Sequence, residues 1–224
     1  MTRLPVFIDA DDTLWENNIF FERAFEKFVA YLNHCTLNAS EIRAALDEIE
    51  QVNNRIHGYG SANFARNLKQ CFQQLGACSL DAAGVAYIDV LEDELLHHPM
   101  DLIEGVEETL AYLSERHHLT LCTKGAPNEQ RAKLERSGLT GFFHDVEIVK
   151  EKDVAFYRRV GSSRPQAWMV GNSPKSDINP ALAAGLSAVY IPHAHTWHLE
   201  DEDVPREHER LVVIERFERL REIF

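Results

Sequence analysis

The chain has 224 residues, enough for one large domain or for one domain that carries a smaller insert. Hydrophobic residues make up 45% and charged residues 26%, which excludes a disordered polymer, and a formal net charge of -13 excludes a basic, sequence-independent nucleic-acid binder. Its apolar stretches are too short and interrupted to span a membrane, and Cys35, Cys71, Cys78 and Cys122 lack CxxC spacing, as expected of reduced thiols in a cytoplasmic protein.

Leu4 to Ile8 is a short apolar run that ends at once in acids. It leaves no room for a secretory signal and reads as a buried parallel strand that opens into a site. From Ile19 to about Leu96 the pattern is helical. Phe21, Phe25, Phe28 and Leu32 recur at spacings of three and four, and Ile42, Leu46 and Ile49 repeat this after Ser40, a plausible N-cap. Phe64, Leu68 and Phe72, then Val85, Ile88 and Leu91, continue the series, with a break at His57-Gly58-Tyr59-Gly60-Ser61.

After Pro99 strands and helices alternate. Val106, Leu110 and Leu113 define a helix, Leu119 to Thr123 a strand, and Pro127 opens a helix that Gly138 closes. Val146–Val149 is a strand, Asp153–Val160 a helix, Ala167–Val170 a strand, Ile178–Ala184 a helix stopped by Gly185, and Ala188–Ile191 a strand. Leu211 to Phe224 reads as an amphipathic terminal helix. The expected fold is α/β: a Rossmann-like parallel sheet with helices on both faces, built from residues 1–15 and 100–224, with an inserted all-helical domain over 16–99.

In such a sheet ligands sit beyond the carboxyl ends of the strands. Those ends deliver Asp9, Asp11, Asp12 and Thr13; then Thr123, Lys124 and Gly125; then Lys150 and Lys152; then Gly171, Asn172, Ser173 and Asp177. Carboxylates beside a hydroxyl and lysines suit a divalent metal and an anion together. Four motifs in order make the chain resemble the haloacid dehalogenase superfamily of phosphohydrolases. Asp9-Ala10-Asp11-Asp12-Thr13 matches the family's Asp-x-Asp-x-Thr, Thr123 its second motif, and Lys152 (or Lys150) its lysine. Gly171 to Asp177 matches its fourth motif, with Asn172 standing where an aspartate is usual.

The resemblance implies a magnesium-dependent phosphatase acting on a small phosphorylated metabolite. Asp9 would be nucleophile and metal ligand, and Asp11 general acid/base, with its pKa raised toward working pH and its backbone carbonyl on the metal. Thr123, Lys124 and Lys152 would bind phosphate, and Asn172 or Asp177 would complete the Mg²⁺ site. A carboxylate near a phosphate dianion is repelled by roughly 4 kcal/mol per charge pair at about 4 Å and an effective dielectric of about 20, which such a cation offsets. Asp12 replaces a common glycine and tolerates φ > 0. The insert lies where the family places its C1-type cap, with His57 and Tyr59 as candidates for a substrate-facing loop and Trp15, Asn17 and Asn18 at the hinge. His193, His195 and His198 are spaced loosely, without a clear carboxylate partner, and read as a solvated polar loop that Glu200–Asp203 extends. The competing readings are a hydrolytic 2-haloacid dehalogenase, which needs neither Asp11 nor magnesium, and a non-catalytic relative. Substrate identity and oligomeric state are not legible.

Overall fold

Strand β1 (Pro5–Ile8) lies at the centre of a six-stranded sheet, and its Val6, Phe7 and Ile8 are all fully buried. Apolar residues in succession, rather than in alternation, are what a strand covered on both faces requires. The computed structural model describes residues 3–32, 36–75 and 80–224; Cys35 and Cys78 lie outside these, while Cys71 and Cys122 are free, buried thiols.

On one side β1 pairs in parallel with β2 (His118–Lys124), and β2 with β3 (Asp145–Val149). On the other side it pairs with β4 (Trp168–Gly171), followed by β5 (Ser187–Tyr190) and β6 (Leu211–Val213), all parallel. The order β3-β2-β1-β4-β5-β6 reverses direction between β1 and β4. That switch point is where an open α/β sheet forms its ligand crevice.

Alternate residues of β1 feed two cores. Val6 and Ile8 join Leu110 and Leu113 of α5 (Val106–Arg116) and Leu134 of α6 (Pro127–Ser137); Phe7 joins Phe156, Tyr157 and Val160 of α7 (Val154–Ser163) and Ala181 of α8 (Asn179–Ala183). Helices therefore cover both faces. Pro127 at the start of α6 and Gly138 at φ 74 after its end act as the sequence predicts.

Two compact units result, Met1–Asn18 with Met100–Phe224, and Ile19–Pro99. The second is all helical. Phe25 and Phe28 of α1 (Asn18–Leu32), Ile42, Leu46 and Ile49 of α2 (Ala39–His57), Leu68 and Phe72 of α3 (Ser61–Leu75), and Ile88, Leu91 and Leu95 of α4 (Ala82–Leu96) share one core.

Three local expectations are corrected. Asn38, not Ser40, caps α2, forming a reciprocal capping box with Glu41. The helix expected over 178–184 begins as a π-helical turn, Pro174–Ile178, that leads into the short α8. Leu211–Phe224 is not a helix. Its β-branched Val212 and Val213 suit the pleated sheet edge, where β6 pairs with β5, and a 3-10 turn over Phe217–Glu222 buries Phe217 and Leu220.

Candidate active site

The chain leaves β1 at Asp9, whose N–H donates to Val170 O of β4 at 2.9 Å, so the first acid sits at the switch point itself. Asp9 is buried, and its two carboxylate oxygens have different partners. Oδ1 lies 2.6 Å from Lys152 Nζ; Oδ2 is 3.1 Å from Thr13 Oγ1, which is equally 3.1 Å from Asn172 Oδ1. Asn172 Nδ2 donates to Thr196 Oγ1 at 2.9 Å, which orients the amide with its oxygen toward Thr13.

Lys152, not Lys150, supplies the buried ammonium; Lys150 is exposed. Lys152 also bonds Asp177 Oδ1 and Cys122 O. Burial disfavours its charge, but Asp177 and Asp9 outweigh that and hold it as an ammonium far above the usual range. Asp177 is fully buried and accepts the Ser173 N–H at 3.0 Å. Burial, then the Asp9 charge, push it up to about 7 against the pull of Lys152. Gly171 is required beside it: a Cβ there would overlap the Asp177 carboxylate.

Asp11 faces a separate set of partners that the sequence did not reveal. Lys133 Nζ lies 3.0 Å from both its oxygens, Gln130 Nε2 donates at 3.1 Å and Trp15 Nε1 at 2.7 Å. Burial raises its pKa, but the Lys133 charge and these hydrogen bonds outweigh burial and hold it below its ordinary value, opposite in sign to the upward shift expected. Gln130 and Lys133 are three apart on α6 and so share a helix face, a pairing that becomes meaningful only once the helix is docked.

Asp12 has φ 60 and caps the following turn, its Oδ1 accepting the N–H groups of Asn17 and Asn18 at 2.9 and 3.0 Å. Burial, only partly offset by these N–H groups, pushes it up to about 7, with Asp11 and Asp9 adding to the shift. His193 does find carboxylates, Glu16 at 3.2 Å and Asp12 at 3.9 Å, contrary to the solvated loop expected.

Thr123 is buried at the end of β2 and donates its hydroxyl to Gln130 Oε1 or Lys124 O, at 3.2 and 3.3 Å. Lys124 Nζ bonds Glu200 Oε1 at 2.7 Å and Ser176 Oγ at 2.8 Å, so its side chain ties β2 to the turn after β4. Glu200, expected on a polar surface, is buried among Lys124, Ser173 and Ser176. His57 and Tyr59 belong to the helical unit. Gly58 and Gly60 flank Tyr59 at φ 80 and 125, and Asn63 Nδ2 donates to Gly58 O at 2.7 Å.

The donor set fits a hard divalent cation. Asp9 Oδ2 and Asn172 Oδ1 each lie 3.1 Å from the Thr13 hydroxyl, so these two oxygens have a single hydrogen between them. All the candidate ligand atoms are oxygens, as magnesium prefers.

A profile of the haloacid dehalogenase-like hydrolases matches residues 6–185, and the chain belongs to that family of hydrolases. It is 30% identical over 218 residues to the glyceraldehyde 3-phosphate phosphatase of Methanopyrus kandleri, covering 89% of this chain and 90% of that one. A haloacid dehalogenase-like family hydrolase from Xanthomonas campestris superposes with a TM-score of 0.83 at 31% identity, over 96% of this chain and 87% of that one. A 2-haloacid dehalogenase from Pseudomonas syringae shares the fold, with a TM-score of 0.65 at 19% identity over 99% and 98% of the two chains. Among the described residues no helix is long and apolar enough to cross a membrane.

Proposed function

We propose that the chain is a magnesium-dependent phosphatase of a small phosphorylated metabolite, with Asp9 as nucleophile and Asp11 as general acid/base. The observation that carries this is the division of labour at Asp9: Lys152 binds one oxygen, while the other faces the oxygen of Asn172 across a shared Thr13 proton. Asp9 attacks phosphorus, the bond to the leaving oxygen breaks, and an aspartyl-phosphate forms. Asp11 gives its proton to the leaving oxygen, then takes one from the water that cleaves the aspartyl-phosphate and releases inorganic phosphate. Lys133 favours Asp11 as the base of the second half; an arriving phosphate dianion opposes Lys133 and favours the protonated acid of the first.

Asp9 Oδ2, Asn172 Oδ1 and the Asp11 carbonyl would hold Mg²⁺, which supplies the positive charge that lets a dianion approach a carboxylate. Asp177 serves as the counter-ion of Lys152. The backbone amides after Thr123 bind phosphate, its hydroxyl proton being engaged by Gln130 Oε1, and Lys124 braces that corner. The helical unit acts as a cap, and His57 and Tyr59 are its candidate substrate residues. The free, buried thiols Cys71 and Cys122 fit a cytoplasmic setting.

A dehalogenase needs no second acid, whereas here three donors are devoted to Asp11. The test is release of phosphate from p-nitrophenyl phosphate with and without Mg²⁺. Turnover that requires the metal and vanishes in Asp9→Asn supports the reading; metal-independent halide release from a 2-haloacid overturns it. A panel of phosphorylated metabolites should include glyceraldehyde 3-phosphate, the compound for which the Methanopyrus relative is named.

A further inference from the structure

We propose that Gln130 is a positioning residue that aims Asp11 at the leaving oxygen, using Thr123 as its anchor; this deepens the phosphatase reading and rests on it. Gln130 is only 3% exposed, yet both ends of its amide are engaged: Nε2 donates to Asp11 Oδ2 at 3.1 Å and Oε1 accepts from Thr123 Oγ1 at 3.2 Å. The direction of the amide follows from its partners. A carboxylate can only accept, so the NH₂ must face Asp11, which leaves the oxygen to Thr123. A planar amide has a fixed span, so this bridge sets the separation between a strand-end hydroxyl and the acid/base carboxylate. Because the amide does not ionise, the spacing holds at any working pH.

A second observation comes from the backbone of the loop. Gly125, at φ 142, passes so close to Gln130 that a Cβ there would lie 2.9 Å from Nε2 and 3.0 Å from Cγ. A Cβ at residue 125 would press on this amide, so a glycine there leaves Gln130 free to keep both partners. One turn further along α6, Lys133 grips both oxygens of Asp11 and Asn17 Oδ1, so α6 presents two donors to the same carboxylate. An ordinary core glutamine would need neither the glycine nor a bridge between two site residues.

The experiment compares phenyl phosphate, whose leaving oxygen needs a proton, with 2,4-dinitrophenyl phosphate, whose leaving group departs without one. Gln130→Met keeps the volume and removes the amide. Losing one hydrogen bond to a charged group should lower kcat/KM on phenyl phosphate about tenfold more than on the dinitrophenyl ester. In an Asp11→Asn background the same substitution should add no such difference. Equal losses on both esters, unchanged rates, or a difference that persists without Asp11 would overturn the inference. If Gln130→Met does not fold, Gln130→Asn, whose shorter amide cannot reach both partners, carries the same comparison. Failure of the parent reading shows in different proteins: a wild type that hydrolyses neither ester, or an Asp9→Asn variant that still does, defeats that reading and this inference together.

Discussion

Lys152 Nζ lies 2.6 Å from Asp9 Oδ1 and also bonds the fully buried Asp177, so a single ammonium stands between two carboxylates. Removing it should do two separable things. In Lys152→Met the buried carboxylates lose their common partner, which costs about 3–5 kcal/mol of stability, and the proposed nucleophile Asp9 loses the cation beside it, which should cost roughly 10²–10³ in kcat. Lys152→Met with Asp177→Asn should regain most of the stability and none of the turnover. Thermal unfolding and p-nitrophenyl phosphate hydrolysis on both variants measure this. Recovery of activity in the double variant would show that Lys152 is a structural counter-ion alone.

Glu50 is 5% exposed inside the helical unit, and burial, opposed by Arg43, pushes its carboxyl up to about 8 from an ordinary 4.5. Below pH 4.5 both the folded and unfolded chains bind this proton, so it contributes no difference in stability. Between 4.5 and 8 only the folded chain holds it, so its contribution to stability falls as pH rises; above 8 the loss is complete. Wild type and Glu50→Gln should match near pH 5, and near pH 9 the variant should be more stable by roughly 4 kcal/mol. Urea unfolding at the two pH values checks it; parallel pH dependences for the two proteins would refute it.

Asp12 combines a left-handed backbone, φ 60, with a carboxylate that accepts two backbone N–H groups. Asp12→Asn keeps both the tolerance for that conformation and an acceptor oxygen, and it removes a buried charge above pH 7, so its stability should lie near wild type. Asp12→Ala loses the acceptor and strains the backbone, at about 2–4 kcal/mol. Asp12→Gly should fall between them, since glycine relieves the strain and leaves the N–H groups unanswered. Denaturant midpoints of the three variants decide the order, and an Ala variant as stable as Asn would contradict it.

What the sequence made legible was what local pattern controls. Apolar runs ending in polar residues located β1, β2 and β4, and Asp9, Thr123, Lys152 and Asn172 stand at or just beyond strand ends. The partners of Asp11 were not legible. Gln130 and Lys133 lie 119 and 122 residues away and read as ordinary polar positions of a surface helix until α6 packs on the sheet. The burial of Glu200 is hidden for the same reason, since an acid in an acidic stretch signals solvent unless a lysine such as Lys124 waits for it. The C-terminal segment differs: the β-branched run Val212 to Ile214 does favour a strand, and a helix is expected only when it is read as one unit with the polar residues after it, whereas here it pairs with the edge of β5.

Asn172 is where the fourth motif departs from the family pattern, and Asn172→Asp tests whether its oxygen is a metal ligand. The amide oxygen already faces Asp9 Oδ2 across Thr13, so the substitution places a full carboxylate in the same position. Without metal, two like charges then adjoin and the Nδ2 bond to Thr196 is lost, so the apo protein should be destabilised by about 1–3 kcal/mol. With metal the sign reverses, because a harder, charged ligand replaces a neutral one: half-saturating Mg²⁺ should fall about tenfold, or roughly 1.4 kcal/mol. Activity against Mg²⁺ concentration, with thermal unfolding plus and minus Mg²⁺, reads both effects. An unchanged Mg²⁺ midpoint would remove Asn172 from the ligand set, leaving Asp9 and the Asp11 carbonyl to hold the ion with water. It would also assign the shared Thr13 proton a purely structural purpose, the bracing of β1 against β4.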